Sequence, residues 1–237
     1  AQIVLVGDSK QLPPFRYTEG EVVSELAARS SLDLFKDKNN IPVINLHEVY
    51  RASQPLIDHY SDVFYEGRLV SQKTLGEKNP LSCFEERGVG DSRCIFWKVN
   101  HGTSFTPKNS FSKMNKRERV ALEYIICALK NMGMDEKDVM IICFYEAQRK
   151  EAEEKLRGYE VLTVDSAQGR EKRVVIVLTT RSSVSADSAE DVNSPKRCNV
   201  AISRHQEALI VLGHPSIASA PNWSQVLSSN YFKHIED

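Results

Sequence analysis

The sequence predicts an α/β fold built on a largely parallel sheet with helices on both faces. Short runs that are apolar throughout and rich in β-branched residues recur at 3–6, 43–46, 94–99, 139–143, 160–164, 174–178 and 208–212. Half-exposed strands would alternate apolar with polar side chains, so such continuous runs point to strands covered on both sides. Helical patterns fall between them, at 54–64, 116–132, 147–156 and around 223–227. That alternation implies parallel βαβ units. Residues 67–112 break the pattern: they are rich in Gly, Ser, Asn and Lys, hold one convincing strand, and read as an irregular connection or insertion. Residues 182–194 read as a polar, acidic loop.

The totals narrow the class. A chain of 237 residues with 41% hydrophobic and 27% charged residues and a formal charge of −1 is globular, and collagenous, disordered and supercharged classes are excluded. The lack of a basic excess argues against non-specific duplex binding and leaves contacts to a single strand open. The five cysteines, Cys83, Cys94, Cys127, Cys143 and Cys198, never form a C-x-x-C pair, so the spacing indicates neither a zinc site nor a disulfide framework. A reducing intracellular setting, cytoplasmic or nuclear, is expected. No apolar stretch approaches the roughly 18 to 20 residues that span a bilayer, so no membrane partner is expected.

Four polar clusters sit beside the apolar runs. After residues 3–6 comes GDSKQLPP. Ligands of open α/β sheets bind beyond the carboxyl ends of strands, where Asp8 and Gln11 would point into a cleft and Pro13 and Pro14 would delay any helix. A glutamine held this way can orient a water or contact a terminal phosphate, and it can equally be a turn residue that caps backbone groups. After the run at 43–46 comes HEVYR. There the Tyr50 ring could stack on a base and the Arg51 guanidinium could reach phosphate oxygens, though a packed Tyr and a surface Arg give the same string. VLTVDSAQGREKR joins two strands through a turn holding Thr163, Ser166, Gln168, Gly169 and Glu171. Its glycine permits close backbone approach and its hydroxyls can bond phosphate oxygens. NVAISRHQ puts Arg204 just before a further buried strand.

In this order the strings resemble the second half of a superfamily 1 helicase motor, of the branch that includes senataxin, Aquarius and the nonsense-mediated-decay helicase. GDSKQLPP is similar to motif III, HEVYR to the YR motif that follows, ICFYEAQRK to motif IV, VDSAQGRE to motif V and NVAISR to motif VI. The resemblance implies two RecA-like, P-loop NTPase-type domains, with ATP and Mg2+ between them and single-stranded RNA or DNA across both. It implies that Gln11 contacts the γ-phosphate or the attacking water and that Arg51 and Arg204 are arginine fingers facing solvent in the open cleft. It further implies that Tyr50 stacks on adenine, that Glu171 binds the ribose, and that Asp8 and Gly169 belong to the same nucleotide site. Thr163, Ser166 and Tyr145 would touch the strand.

The chain departs from the pattern in places. Cys143 and Phe144 stand where motif IV commonly has Thr-Pro, which puts a hydroxyl contact in doubt. Motif VI reads Ser203, Arg204, His205, Gln206 where Thr-Arg-Ala-Arg is usual, so its second arginine is missing. The connection from 156 to 160 is shorter than usual.

The chain contains no G-x-x-x-x-G-K-[ST] string, and its one Asp-Glu pair, Asp135-Glu136, precedes a strand instead of ending one. The resemblance places both elements upstream of motif III. The expectation is therefore a fragment: residues 1–49 the tail of a first RecA-like domain, residues 50–237 the second, and no ATP hydrolysis by the isolated chain. The competing expectations are a module that holds single-stranded nucleic acid without hydrolysis and an interaction scaffold in which the motifs are relics.

Overall fold

A computed structural model of the chain describes residues 3–13, 30–35, 41–184, 190–228 and 230–237. After a five-residue helix α1 (Ser31–Phe35) comes the two-residue strand β1 (Glu48–Val49), which pairs with β2 (Val70–Ser71) across helix α2 (Gln54–Tyr65). A 3-10 helix (Ser82–Arg87) leads to β3 (Cys94–Lys98). The small antiparallel pair β4 (Ser104–Phe105) and β5 (Met114–Asn115) precedes helix α3 (Lys116–Asn131). Then come β6 (Val139–Cys143), α4 (Glu146–Lys155), β7 (Glu160–Thr163), β8 (Lys172–Leu178), α5 (Glu190–Asn193), α6 (Pro195–Ile202), β9 (His205–Gly213), a 3-10 turn (Pro215–Ser219), α7 (Pro221–Leu227) and β10 (Phe232–Glu236).

Six of these strands form one sheet in the order β10-β3-β9-β8-β6-β7, every neighbouring pair parallel. Residues alternate in direction along a strand, so each apolar run feeds two cores at once. Val175, Val177, Leu209 and Val211 join Met140 and Ile142 beneath α2, α6 and α7. Val174, Ile176, Leu178, Ile210 and Leu212 join Ile141 beneath α3 and α4. A strand with both faces dry has no use for polar positions, hence the unbroken apolar runs.

The helices carry local start and stop signals. The Asn115 side chain accepts from the Arg117 and Glu118 N–H groups at the start of α3, and Ser194 accepts from Arg197 N–H before Pro195 at the start of α6. Helix α2 begins with a proline in its first turn and ends where Glu66 turns left-handed at φ 58°. Among the described residues no helix is long and apolar enough to cross a membrane.

Two expected strands are not formed. Residues 3–6 and 42–47 run as extended coil, with Ile3, Val4, Val6, Ile44 and Leu46 largely in solvent. A strand needs a neighbour to complete its hydrogen-bond ladder, and among the described residues none pairs with either run. Pro14, expected to stiffen the exit from GDSKQLPP, lies outside the described residues, as do 185–189 of the expected polar loop. Several elements went unpredicted, among them α1, the short pairs β1–β2 and β4–β5, α6, β10, and α5 (Glu190–Asn193), which forms within the expected polar loop at 182–194. Helix α6 lies within the apolar approach to Arg204, and β10 buries only Phe232 and Ile235 while Lys233, His234 and Glu236 stay exposed, as suits an edge strand.

Truncating Ile176, fully buried at the sheet centre, to Ala should cost about 2–5 kcal/mol by denaturant unfolding. Truncating Ile44, 86% exposed, should stay within about 0.5 kcal/mol. Equal effects would mean that the 42–47 segment is packed.

Candidate functional site

The sheet has dry faces, so its polar groups gather at its two ends. At the amino ends of β8 and β9, four chain segments converge. Gly169, at φ +79°, turns the chain so that Glu171 stands just before β8. Helix α6 stops at Ile202, Ser203 caps it, and Arg204 occupies the one position before β9. Arg51 follows β1, and the loop from Asp8 to Gln11 closes over the group.

Arg51 Nε donates to Glu171 Oε2 at 2.7 Å and its Nη1 donates to the Ser203 carbonyl. Gln206 Nε2 takes the other carboxylate oxygen of Glu171 at 2.9 Å. Lys73 Nζ donates to the Arg51 carbonyl at 3.0 Å. Arg204 Nη2 donates to Ser203 Oγ at 2.7 Å and, more loosely, to Gln11 Oε1 at 3.4 Å. Gln11 itself is held by Asp8, whose Oδ2 accepts both Gln11 Nε2 at 2.8 Å and the Tyr65 hydroxyl at 2.6 Å, while Oδ1 accepts the Lys10 N–H at 2.9 Å. Asn199 Nδ2 ties this loop to α6 through the Lys10 carbonyl and the Tyr65 hydroxyl.

The electrostatics of the two arginines differ. Arg51 has a carboxylate partner, and its hydrogen bond to Glu171 is the main reason that this carboxyl sits below the usual range. Arg204 is 2% exposed, its described hydrogen bonds go to neutral oxygens, and among the described residues its Nε has no partner. Burial pulls its guanidinium down to about 10, with the neighbouring Arg51 charge adding to the effect, so it stays cationic at neutral pH. A buried cation without an anion is costly. Oxygens of an anionic ligand delivered to this point would satisfy both guanidiniums in the bidentate geometry that they favour.

A second polar region lies across the sheet, at the carboxyl ends of β6 and β7. A groove of about 410 Å³ is lined there by residues including Ser112, Phe144, Tyr145, Thr163, Asp165 and Arg197. Thr163 Oγ1 donates to Ser166 Oγ at 3.1 Å and accepts the Ser166 N–H at 3.3 Å, which shapes the turn after β7. Arg197 is neutralised by Asp165 at 2.9 Å, and its guanidinium also lies 5.9 Å from the Phe144 ring centroid.

The expected site residues thus fall into two groups. Gln11, Arg51, Glu171 and Arg204 meet at the amino ends, with Asp8 as the anchor of Gln11. Tyr50 stands beside them in sequence with its ring 70% exposed and its hydroxyl donating to Glu48. Thr163, Ser166 and Tyr145 belong to the opposite end.

Two expectations need correction. The arginine cluster lies at the amino ends of the sheet strands, where the carboxyl-end rule did not look. Arg204 does not face solvent: the Ser203 cap and the Asp8–Gln11 loop bury it. Gly169 adopts φ +79°, and a Cβ there would meet nothing within 4 Å, so the left-handed backbone and open space at this turn are both consistent with the expected glycine. The doubt over a hydroxyl contact at Cys143 needs no correction: the side chain is fully buried and offers the groove no donor.

Tyr65, Asn199, Ser203 and Gln206 went unnoticed as site residues. Tyr65 and Asn199 are 134 positions apart, and no spacing signals their contact. Gln206, where the second arginine of motif VI is missing, had a signal in its polar character just inside an apolar strand.

A family model described as "AAA domain" matches residues 27–216. Among curated proteins, the chain is 29% identical over 231 residues to the "Regulator of nonsense transcripts 1 homolog" of Neurospora crassa, covering 91% of this chain and 20% of that protein. It is also 29% identical over 249 residues to the protein of the same name from Arabidopsis thaliana, covering 98% and 19%. The "ATP-dependent helicase NAM7" of Saccharomyces cerevisiae is 29% identical over 241 residues, covering 95% and 24%. The chain spans about a fifth to a quarter of the length of these relatives.

The Arg51–Glu171 pair gives a pH signature. A depressed carboxyl contributes stability above the ordinary glutamate value of 4.5 and loses it as pH falls through the depressed value. Wild type should therefore exceed Glu171→Gln in unfolding free energy at pH 7, by less than about 1 kcal/mol because the Glu171 side chain is 44% exposed, and the two should converge in acid. Parallel pH profiles from pH 7 to 3 would show that the pair contributes nothing.

Proposed function

The chain belongs to the AAA domain family, whose model covers residues 27–216, and on that footing we propose that it forms the C-terminal half of an ATP-dependent superfamily 1 helicase motor. ATP turnover would drive movement along single-stranded RNA or DNA. The observation that carries the reading is the Arg204 guanidinium, buried, charged and, among the described residues, hydrogen-bonded to no carboxylate, beside Arg51 and within reach of Gln11. The residues present fit a nucleoside triphosphate: the unpaired Arg204 Nε and the two guanidiniums suit its terminal phosphate oxygens.

In this reading Arg51 and Arg204 donate hydrogen bonds to the γ-phosphate and stabilise the charge that develops there. Glu171 and the Ser203 carbonyl aim Arg51, while Ser203 Oγ aims Arg204. Asp8 occupies the amide nitrogen of Gln11, which leaves Oε1 as the acceptor that can orient an attacking water. Tyr50 offers an open ring for adenine, and Glu171 has exposed carboxylate surface for a ribose hydroxyl. Bound Mg2+ would neutralise the β,γ-phosphates; its carboxylate ligands and the phosphate loop come, in this proposal, from a preceding RecA-like domain.

The division proposed is residues 1–49 as the tail of that first domain and 50–237 as the second. The exposed apolar segments 3–6 and 43–46 support it, since a first domain would cover them. The single strand would lie along the groove of Tyr145, Thr163 and Ser166, at the end of the sheet away from the arginines. The cytoplasm or nucleus is the setting that fits this substrate.

Two experiments test this. In the longer protein that includes the preceding half, Arg204→Met should leave stability unchanged or raise it by about 1 kcal/mol, because an unpaired buried charge is removed. The same substitution should lower ATP turnover by about 10³ to 10⁵. A variant that melts early and loses activity only in proportion would make Arg204 structural. The 237-residue chain alone should neither hydrolyse ATP nor show steep salt dependence in binding single strands, because Arg197, the basic side chain lining the groove, is already paired with Asp165. Strand-stimulated hydrolysis by this chain would end the two-domain assignment.

A further inference from the structure

Beneath the arginines lies a cluster that the proposed motor does not use. His59 of α2 is completely buried, and among the described residues neither ring nitrogen has a hydrogen-bond partner. The Ile202 carbonyl is near enough to both His59 and His205 to act on their proton affinity, yet it closes no bond to His59. An imidazole buried with both nitrogens unsatisfied costs about 1–3 kcal/mol per group, and native interiors resolve such cases with a water, an ion or a missing partner. The His59 ring lies 5.5 Å from that of His205, nearly parallel to it, and edge-on to Phe232 at 5.2 Å.

His205, the first residue of β9, is set up as a ligand. Its Nε2 lies 3.0 Å from the Leu56 carbonyl, which can only accept, so Nε2 carries the proton and Nδ1 carries a lone pair that meets no donor. Metal-binding imidazoles are held in this way, one nitrogen donating to a backbone carbonyl and the other left for the ion. The third member is Cys94 at the start of β3, also fully enclosed and free of disulfides. One donor atom from each of His59, Cys94 and His205 lies within 4.8 Å of the other two. Bonds of about 2.0–2.3 Å to nitrogen and sulfur set the donors of a three-coordinate site about 3.5–3.8 Å apart, so side-chain shifts of about 1 Å close the set.

We propose that His59, Cys94 and His205 form a buried three-coordinate site for one monovalent copper ion. Three arguments select the ion. A thiolate with two imidazoles is a soft donor set, which Cu(I) and Zn(II) accept and hard cations do not. Among the described residues no fourth His, Cys, Asp or Glu joins the group, and its complete burial leaves no open position for the fourth ligand that zinc takes. Charge then decides. Cu(I) with one thiolate and two neutral imidazoles is neutral, whereas Zn(II) would leave a net positive charge sealed beside Arg204 and Arg51, which already act on His205 as like charges.

In the metal-free chain all three ligands are neutral: burial raises the Cys94 thiol to about 12, lowers His205 to about 4 and lowers His59 well below its ordinary value. Binding therefore breaks the S–H bond, forms a copper–thiolate bond and releases that proton to solvent, with no change in oxidation state. The ion would join α2, β3 and β9, three segments that spacing alone never connects, under the Ser203–Arg204 turn. This inference is independent of the helicase reading.

The test refolds the chain without oxygen in the presence of Cu(I) buffered by bicinchoninate, with an equimolar zinc arm, followed by desalting and metal analysis. The expected result is retention of about one copper per chain, an X-ray absorption spectrum of a three-coordinate ion with sulfur and nitrogen neighbours, and a raised melting temperature. His59→Phe should retain no copper while its metal-free form melts no lower than metal-free wild type, because the variant removes two unsatisfied nitrogens. Cys94→Ser should also retain none. Copper retention unchanged in either variant, preference for zinc in the mixture, or a wild-type spectrum without sulfur would each overturn the site, and the last holds whether or not a variant folds.

Discussion

A parallel sheet covered on both faces leaves polar chemistry only at the two ends of its strands, and the rest of this structure follows from that. Strands β3, β6, β8 and β9 put side chains into one core or the other at nearly every position. Most charged groups gather at or beyond the strand ends; Arg173 and Glu207, near the first residues of β8 and β9, pair with each other at 2.9 Å. Arg51, Glu171 and Arg204 collect beyond the amino ends, and Tyr145, Thr163 and Asp165 beyond the carboxyl ends. The two polar regions are separated by the length of the apolar strands between them, such as β8 from Lys172 to Leu178. A change at one reaches the other only through strands and helices that move as packed units.

The amino end is held under electrostatic strain. Among the described residues Arg204 is buried with no carboxylate hydrogen-bonded to it and its Nε has no partner, and Arg51 lies near enough to make it less basic while Glu171 acts the other way. An interior selected for stability alone would not retain that arrangement, and sites that bind charged ligands commonly give up stability for readiness. Below it, His59 adds a second unsatisfied group within the same three-element junction. The arginine turn, the capped end of α6 and the His–Cys–His cluster therefore share neighbours, and substitutions among them should not be additive.

The carboxyl end is built differently. Glu118 is buried in the first turn of α3, where burial holds its carboxyl well above the ordinary range, and its Oε2 accepts the Thr180 N–H at 2.9 Å. Thr180 sits at φ 68°, an uncommon conformation for a β-branched residue. Asn115 joins this network through Gln148 and the Thr180 carbonyl while it caps α3. One buried polar knot therefore shapes the loop after β8, close to the groove of Tyr145 and Thr163. Strain is stored here as it is around Arg204, but in backbone geometry instead of charge.

Much of this was legible in the sequence. The apolar runs at 139–143, 174–178 and 208–212 determined the central strands, because a buried parallel strand tolerates few polar side chains and the run is its own signal. The helical patterns at 54–64, 116–132 and 147–156 located α2, α3 and α4, since helical periodicity is a local property. The ordered strings around Gln11, Arg51, Glu171 and Arg204 marked the residues that meet. Tertiary structure alone decided what lies far apart in the chain and what lacks a neighbour. The runs at 3–6 and 43–46 have strand composition, but no described strand stands beside them to complete a ladder. The burial of Arg204, the pairing of Gln206 with Glu171, the contact of Tyr65 with Asn199, and the meeting of His59, Cys94 and His205 all join segments that no periodicity relates. A sequence states what each residue prefers locally; which partners satisfy it, and which groups stay unsatisfied, is set only when the sheet brings distant segments to the same end.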